Sequence, residues 1–159
     1  MLEIEKKFLV LNEDWREHII RQDHVLQFYI SPRNSIPTIR LRIKGGKGFI
    51  TIKYPSTTKE VLSRAEYEYE IPAAHVEAQK PFAIGRFIEK TRYQVKDEFA
   101  QEWEVDEFTS PQSGLVLAEI ELNSEADEIQ LPKWVGKDVT ADTRYSNQVM
   151  SYSKDDLFI

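Results

Sequence analysis

Cysteine is absent from this chain of 159 residues, which removes disulfides, thiolate nucleophiles and thiolate metal sites together. Histidine is scarce: His18, His24 and His75 show no HExxH or other ligand spacing, so each reads as a surface or helix residue. No apolar run approaches the ~20 residues that a membrane helix needs. The N-terminus has no basic head followed by an apolar signal core, so the expected location is cytoplasmic. There is no GxxxxGK[ST] segment, and Lys44-Gly45-Gly46 reads as a turn rather than a phosphate loop. Net basicity is missing too: 21 Lys and Arg stand against 27 Asp and Glu, a charge of −6, and a nucleic-acid partner is not expected.

What is present suits one folded domain over residues 1–159, with 41% apolar and 30% charged side chains. Alternation with a period of two dominates. It predicts strands over residues 2–10, 24–30, 38–44, 49–54, 61–71, 86–95, 101–108 and 115–122. A Lys-Gly-Gly-Lys-Gly hairpin turn joins the third and fourth, and an Asp97-Glu98 turn the sixth and seventh. Short helices are expected near 13–21 behind Asn12, near 73–80 with Pro72 at the start, near 124–130, and from about Ser146 to Lys154. LPKWVG reads as a connection.

The polar positions of these strands are sorted by sign. Arg40, Arg42 and Lys44 alternate with Ile39, Leu41 and Ile43, while Lys53 and the pair Lys90 and Arg92 make the neighbouring strands basic. Glu66, Glu68 and Glu70, then Glu102, Glu104 and Asp106, then Glu119 and Glu121 make others acidic. The first strand aligns Glu3, Glu5 and Lys7 on one side, at steps of ~6.6–6.8 Å. A solvated outer face explains alternation, but like charges repeated along a face cost stability. A closed barrel with the charged face inside accounts for the sorting: two walls of a wet cavity, with the alternate apolar residues outside under the helices. Buried ions are costly unless paired. The cavity therefore implies a metal-bound oligophosphate, whose oxygens suit guanidinium forks and lysines, with carboxylates holding Mg²⁺ or Mn²⁺.

These stretches resemble the CYTH family, the triphosphate tunnel metalloenzymes. Glu3, Glu5 and Lys7 match its E-x-E-x-K signature, and the resemblance continues through Tyr29, Arg40 and Arg42, Lys53, then Arg64, Glu66 and Glu68. Lys90 and Arg92, Asp106, Glu119 and Glu121, and the ending DVTADTRYSNQVMS complete an ordered set. The resemblance implies an α+β fold, mainly antiparallel β: a closed eight-stranded barrel with a few flanking helices. It also implies divalent-metal-dependent hydrolysis of a triphosphate, the short frame being most similar to the inorganic triphosphatase group. The histidine–phenylalanine lead associated with the family's cyclases does not precede E-x-E-x-K. Cyclisation of ATP, hydrolysis of thiamine or nucleoside triphosphates, and a binding module without turnover are the alternatives.

The roles expected on that basis are these. Lys7, Arg40, Arg42, Lys53, Arg64, Lys90 and Arg92 grip the triphosphate and neutralise charge on the leaving group. Glu119 and Glu121, with Asp106, hold a metal, and Glu3 and Glu5 hold or orient a second metal and the attacking water. Lys7 binds phosphate or, with Tyr29, helps to deprotonate water. Glu66 and Glu68 either pair with arginines or serve the metal. Tyr145 packs the last helix or closes the tunnel mouth. Trp15, Trp103 and Trp134 belong to the outer core. The partner is a small-molecule triphosphate, with a homodimer compatible with the sequence.

Overall fold

In the computed structural model, residues 4–54, 65–124 and 126–157 are described. Nine antiparallel strands form one sheet: β1 (Ile4–Val10), β2 (Ile19–Tyr29), β3 (Thr38–Lys44), β4 (Lys47–Lys53), β5 (Glu66–Ile71), β6 (Ile84–Lys96), β7 (Glu102–Ser110), β8 (Val116–Leu122) and β9 (Val135–Asp138). Their spatial order is β5-β4-β3-β2-β6-β7-β8-β1-β9. The expected antiparallel β architecture is therefore present. Among the described residues the sheet has edges at β5 and β9 and so is not closed by hydrogen bonds. The ninth strand lies in the segment expected to be a connection: Val135 pairs with Val10 and Asp138 with Phe8. Four residues are too few to carry a period.

Two more segments depart from expectation. Residues 19–23 continue β2 instead of a helix, and only a 3-10 turn forms at Asp14–His18. Near 124–130 the described residues form no helix; Asp127 accepts from the backbone N–H of Asn123 and Ser124 and so makes a turn. The β3–β4 hairpin is as expected. Gly45 and Gly46 take φ of +56° and +80°, the left-handed pair that a two-residue hairpin loop requires.

Cross-strand register puts the charged rows on one face. Glu5 and Lys7 stand opposite Glu121 and Glu119, Glu119 opposite Glu104, and Asp106 opposite Arg92. Farther round, Gln27 and Tyr29 stand opposite Arg42 and Arg40, Arg40 opposite Thr51, and Thr51 opposite Glu68. Directly paired residues share a face, so this inner face is ionic across eight strands. The other face is apolar. Phe8, Trp15, Trp103, Val105, Ala118, Ile120 and Trp134 pack there, with Trp103 and Trp134 edge to face at 5.3 Å. Phe28 and Leu41 pack there under Val76 of α1 (Ala73–Ala78).

The last helix sits differently from expectation. Helix α2 (Asn147–Tyr152) is capped by Ser146, whose Oγ accepts from Val149 N–H at 3.1 Å. It was expected outside the barrel. Instead its Met150 packs with Ile88, Phe108, Leu117 and Tyr145, and those strand residues continue the rows of Gln27, Lys90 and Glu119. At this end the inner face turns from ionic to apolar and needs cover, which α2 supplies. Close approach is allowed by Gly85 at φ +81°, where a Cβ would stand 2.4 Å from the Ser151 carbonyl oxygen. Tyr145 therefore packs the helix. No helix among the described residues is long and apolar enough to cross a membrane.

Candidate active site

The period of two along β1, β3, β4, β6 and β8 puts their charges on one face, and they meet in a hollow of about 380 Å³. Its walls are Glu5 and Lys7 from β1, Gln27 and Tyr29 from β2, Arg40 and Arg42 from β3, Lys53 from β4, Lys90 and Arg92 from β6, Glu119 from β8, and Ser146, Asn147 and Gln148 at the start of α2. Among the described residues, six cationic side chains and two carboxylates share this space.

The cations differ in how they are held. Lys90 and Asp106 are each 1% exposed; Lys90 Nζ donates to Asp106 at 2.7 Å and to Asn147 Oδ1 at 2.9 Å. Arg92 donates to both oxygens of Asp106 at 2.8 and 2.9 Å and pairs with Glu104 at 2.8 Å. Burial presses the Asp106 carboxyl upward, but Lys90 and Arg92 overcome it and hold it well below the usual carboxylate range. Arg40 lies 3.7 Å from Glu68, and Thr51 bridges them, accepting from Arg40 at 3.2 Å and donating to Glu68 at 2.9 Å. Glu68 thus takes the arginine-pairing alternative. Arg42 is the exception. Among the described residues its hydrogen-bond acceptor is a neutral amide, Gln27 Oε1, at 2.9 and 2.6 Å. Burial first, then Arg40 and Arg92, lowers its guanidinium to about 10. An arginine stays charged, so Arg40 and Arg92 repel it here, and an anion would offset that repulsion.

On the opposite wall the carboxylates crowd one another. Glu5 is pushed up to about 7 by burial, then by Glu119, and by Glu104 and Glu121. Beyond Glu5 and Glu119 a second hollow of about 640 Å³ is lined by Glu102, Glu104, Glu121, Asp127 and Glu128. Among the described residues no three acids stand close enough to enclose a metal. The donor set nevertheless fits a hard divalent cation. It is all carboxylate oxygen, and Glu5 and Glu119 crowd each other where a cation would serve both. Lys7 stands at this boundary, 3.6 Å from Glu119 and donating to the Tyr145 carbonyl at 2.9 Å. Tyr29 is fully buried, and burial, opposed by Arg40, raises its phenol.

Of the expected site residues, Lys7, Tyr29, Arg40, Arg42, Lys53, Lys90, Arg92, Glu5 and Glu119 line one cavity. Glu121 lies on the acidic side. Asp106, expected as a metal ligand, has both oxygens engaged by Lys90 and Arg92. Glu3 and Arg64 fall outside the described residues. The structure adds Gln27, Asn147 and Glu104. Gln27 precedes Tyr29 by two positions on the same strand, so the period of two already placed it on that face.

The family model described as "CYTH domain" matches residues 1–151. An inorganic triphosphatase of Nitrosomonas europaea is 39% identical over 158 residues, covering 96% of this chain and 99% of that one. An inorganic triphosphatase of Acetivibrio thermocellus is 38% identical over 150 residues, covering 91% and 90%. Among solved structures, that of the inorganic triphosphatase NE1496 superimposes with a TM-score of 0.78 at 33% identity, covering 96% of each chain. With the sheet, the sorted cavity and a match over nearly its whole length, the chain belongs to the CYTH domain family.

Proposed function

We propose that this protein hydrolyses inorganic triphosphate to pyrophosphate and orthophosphate, with Mg²⁺ or Mn²⁺ as its metal. The observation that carries this is the cavity lining, six cations among the described residues facing a carboxylate wall, with Arg42 held by a neutral amide. Such a lining favours a compact, highly charged anion with a divalent cation. The curated relatives named inorganic triphosphatases support that substrate.

In this reading Lys7, Arg40, Arg42, Lys53, Arg64, Lys90 and Arg92 hold the phosphate oxygens. Those nearest the bridging oxygen that breaks take up charge on the departing pyrophosphate. Glu3, Glu5, Glu119 and Glu121 would hold the metal, with Asp106 fixing Lys90 and Arg92 in place. When bound there, the ion would make water a usable nucleophile near neutral pH and neutralise phosphate charge. In hydrolysis a water oxygen bonds to the terminal phosphorus, the bridging P–O bond breaks with its electron pair leaving on the pyrophosphate, and the proton shed by the water passes to solvent. Tyr29, its phenol raised by burial, keeps its proton and donates a hydrogen bond to a phosphate oxygen. Lys7 sits between the metal carboxylates and the phosphates, where it orients water and substrate.

Incubation with tripolyphosphate, ATP and thiamine triphosphate, each with Mg²⁺ and with Mn²⁺, and identification of the products tests this. Tripolyphosphate should be consumed fastest, with release of orthophosphate and pyrophosphate. Cyclic AMP with pyrophosphate from ATP, or no turnover of any of the three, would overturn it.

A further inference from the structure

Gln27 is fully buried in the cavity wall, on β2 between β3, which carries Arg40 and Arg42, and the basic strand β6. Its amide orientation is fixed by chemistry, because a guanidinium only donates: the oxygen must face the Arg42 Nε–H and Nη2–H groups. The nitrogen end is therefore directed away from Arg42, and Gln27 Nε2 is buried with no hydrogen-bond partner among the described residues. Arg40 Nε is in the same condition, two residue pairs along the β2–β3 ladder and so on the same face. Buried donors are ordinarily paired, and these two lie on the same wall of the cavity.

From this we infer that Gln27 is a substrate-binding and positioning residue for the triphosphate: its oxygen aims the Arg42 fork without neutralising it, and its Nε2–H donates to a phosphate oxygen. The inference rests on the proposed triphosphate-binding role of the cavity. A carboxylate at this position would hold Arg42 more tightly but would cancel its charge and repel the phosphates. An apolar residue would leave the guanidinium without a guide, crowded by Arg40 and Arg92. A neutral amide meets both needs. It orients a planar cation and leaves the full charge available to the anion.

The test is a stability-against-affinity comparison of Gln27→Glu and Gln27→Met with the unsubstituted protein. Thermal unfolding is paired with calorimetric binding of tripolyphosphate in chelator and with KM and kcat in Mg²⁺. Gln27→Glu gains an ion pair with Arg42, so its melting temperature should hold or rise while tripolyphosphate affinity falls at least ~10-fold. Gln27→Met should also lose affinity, with KM rising more than kcat falls. A merely structural glutamine would give the reverse: a lower melting temperature and affinity within twofold in both variants, which would overturn the inference. Arg42→Ala is run alongside. If it weakens tripolyphosphate binding and the Gln27 variants do not, only the role of Gln27 fails; if Arg42→Ala also binds normally, the triphosphate cavity itself is refuted.

Discussion

Lys90 and Asp106 face each other at 2.7 Å with both side chains almost wholly withdrawn from solvent. Such a pair is costly to break from one side, because the surviving charge stays buried. Asp106→Asn is therefore expected to destabilise the fold by about 3–5 kcal/mol, measured by denaturant unfolding. A loss below ~1 kcal/mol, the range of an exposed pair, would show that this contact does not hold the frame.

Arg42 contributes charge and little packing. Arg42→Ala should stay folded while kcat/KM for tripolyphosphate falls by roughly 10²–10³-fold. Arg42→Lys, which keeps the charge and loses the fork, should fall between the two. Unfolding of Arg42→Ala, with normal turnover by the remaining native fraction, would assign the residue to structural pairing instead.

Glu5 gives the metal-free protein a defined pH response. Its folded value of about 7 lies above the ordinary 4.5, so between those values the folded form keeps a proton that the unfolded form has released. The stabilisation is full below 4.5 and is lost as pH rises through about 7. In chelator, the melting temperature of the unsubstituted protein relative to Glu5→Gln should climb as pH falls across that window. Saturating Mg²⁺ or Mn²⁺ should remove the climb, since the ion takes the proton's place. Parallel pH curves for the two proteins in chelator would contradict the crowding of Glu5.

Gly85 sets where α2 rests. At φ +81° and with the Ser151 carbonyl oxygen 2.4 Å from a Cβ, Gly85→Val combines backbone strain with a clash, expected to cost about 1–3 kcal/mol. Because Ser146, Asn147 and Gln148 line the cavity, KM for tripolyphosphate should rise as well. An unchanged KM in the folded variant would separate the helix from the site.

Strands were legible where an apolar row and a charged row alternate for six or more residues, as in TIRLRIK, where the expected span and β3 coincide. The two glycines of the next turn were legible for the same local reason. Ile19 and Ile20 were not: two adjacent apolar residues fit a helix face as well as a strand start, and pairing of β2 with β6 decides between them. The inward turn of α2 was also hidden. It depends on Leu117 and Phe108 extending the charged rows with apolar residues, which becomes visible only when register links the strands. The candidate site was legible as charge of sorted sign. Gln27 was not, since a single uncharged amide carries no sign; its importance comes from the arginine fork across the ladder.

Glu5 and Glu119 stand where the cationic hollow and the acidic hollow adjoin. An approaching polyanion is drawn by the field on one side of that threshold and turned back on the other, and a divalent cation meets the opposite bias. In the proposed reaction the triphosphate is thus favoured in one hollow and the divalent cation in the other. Raising the salt concentration, which shortens the reach of both fields, would blur that separation and slow both arrivals.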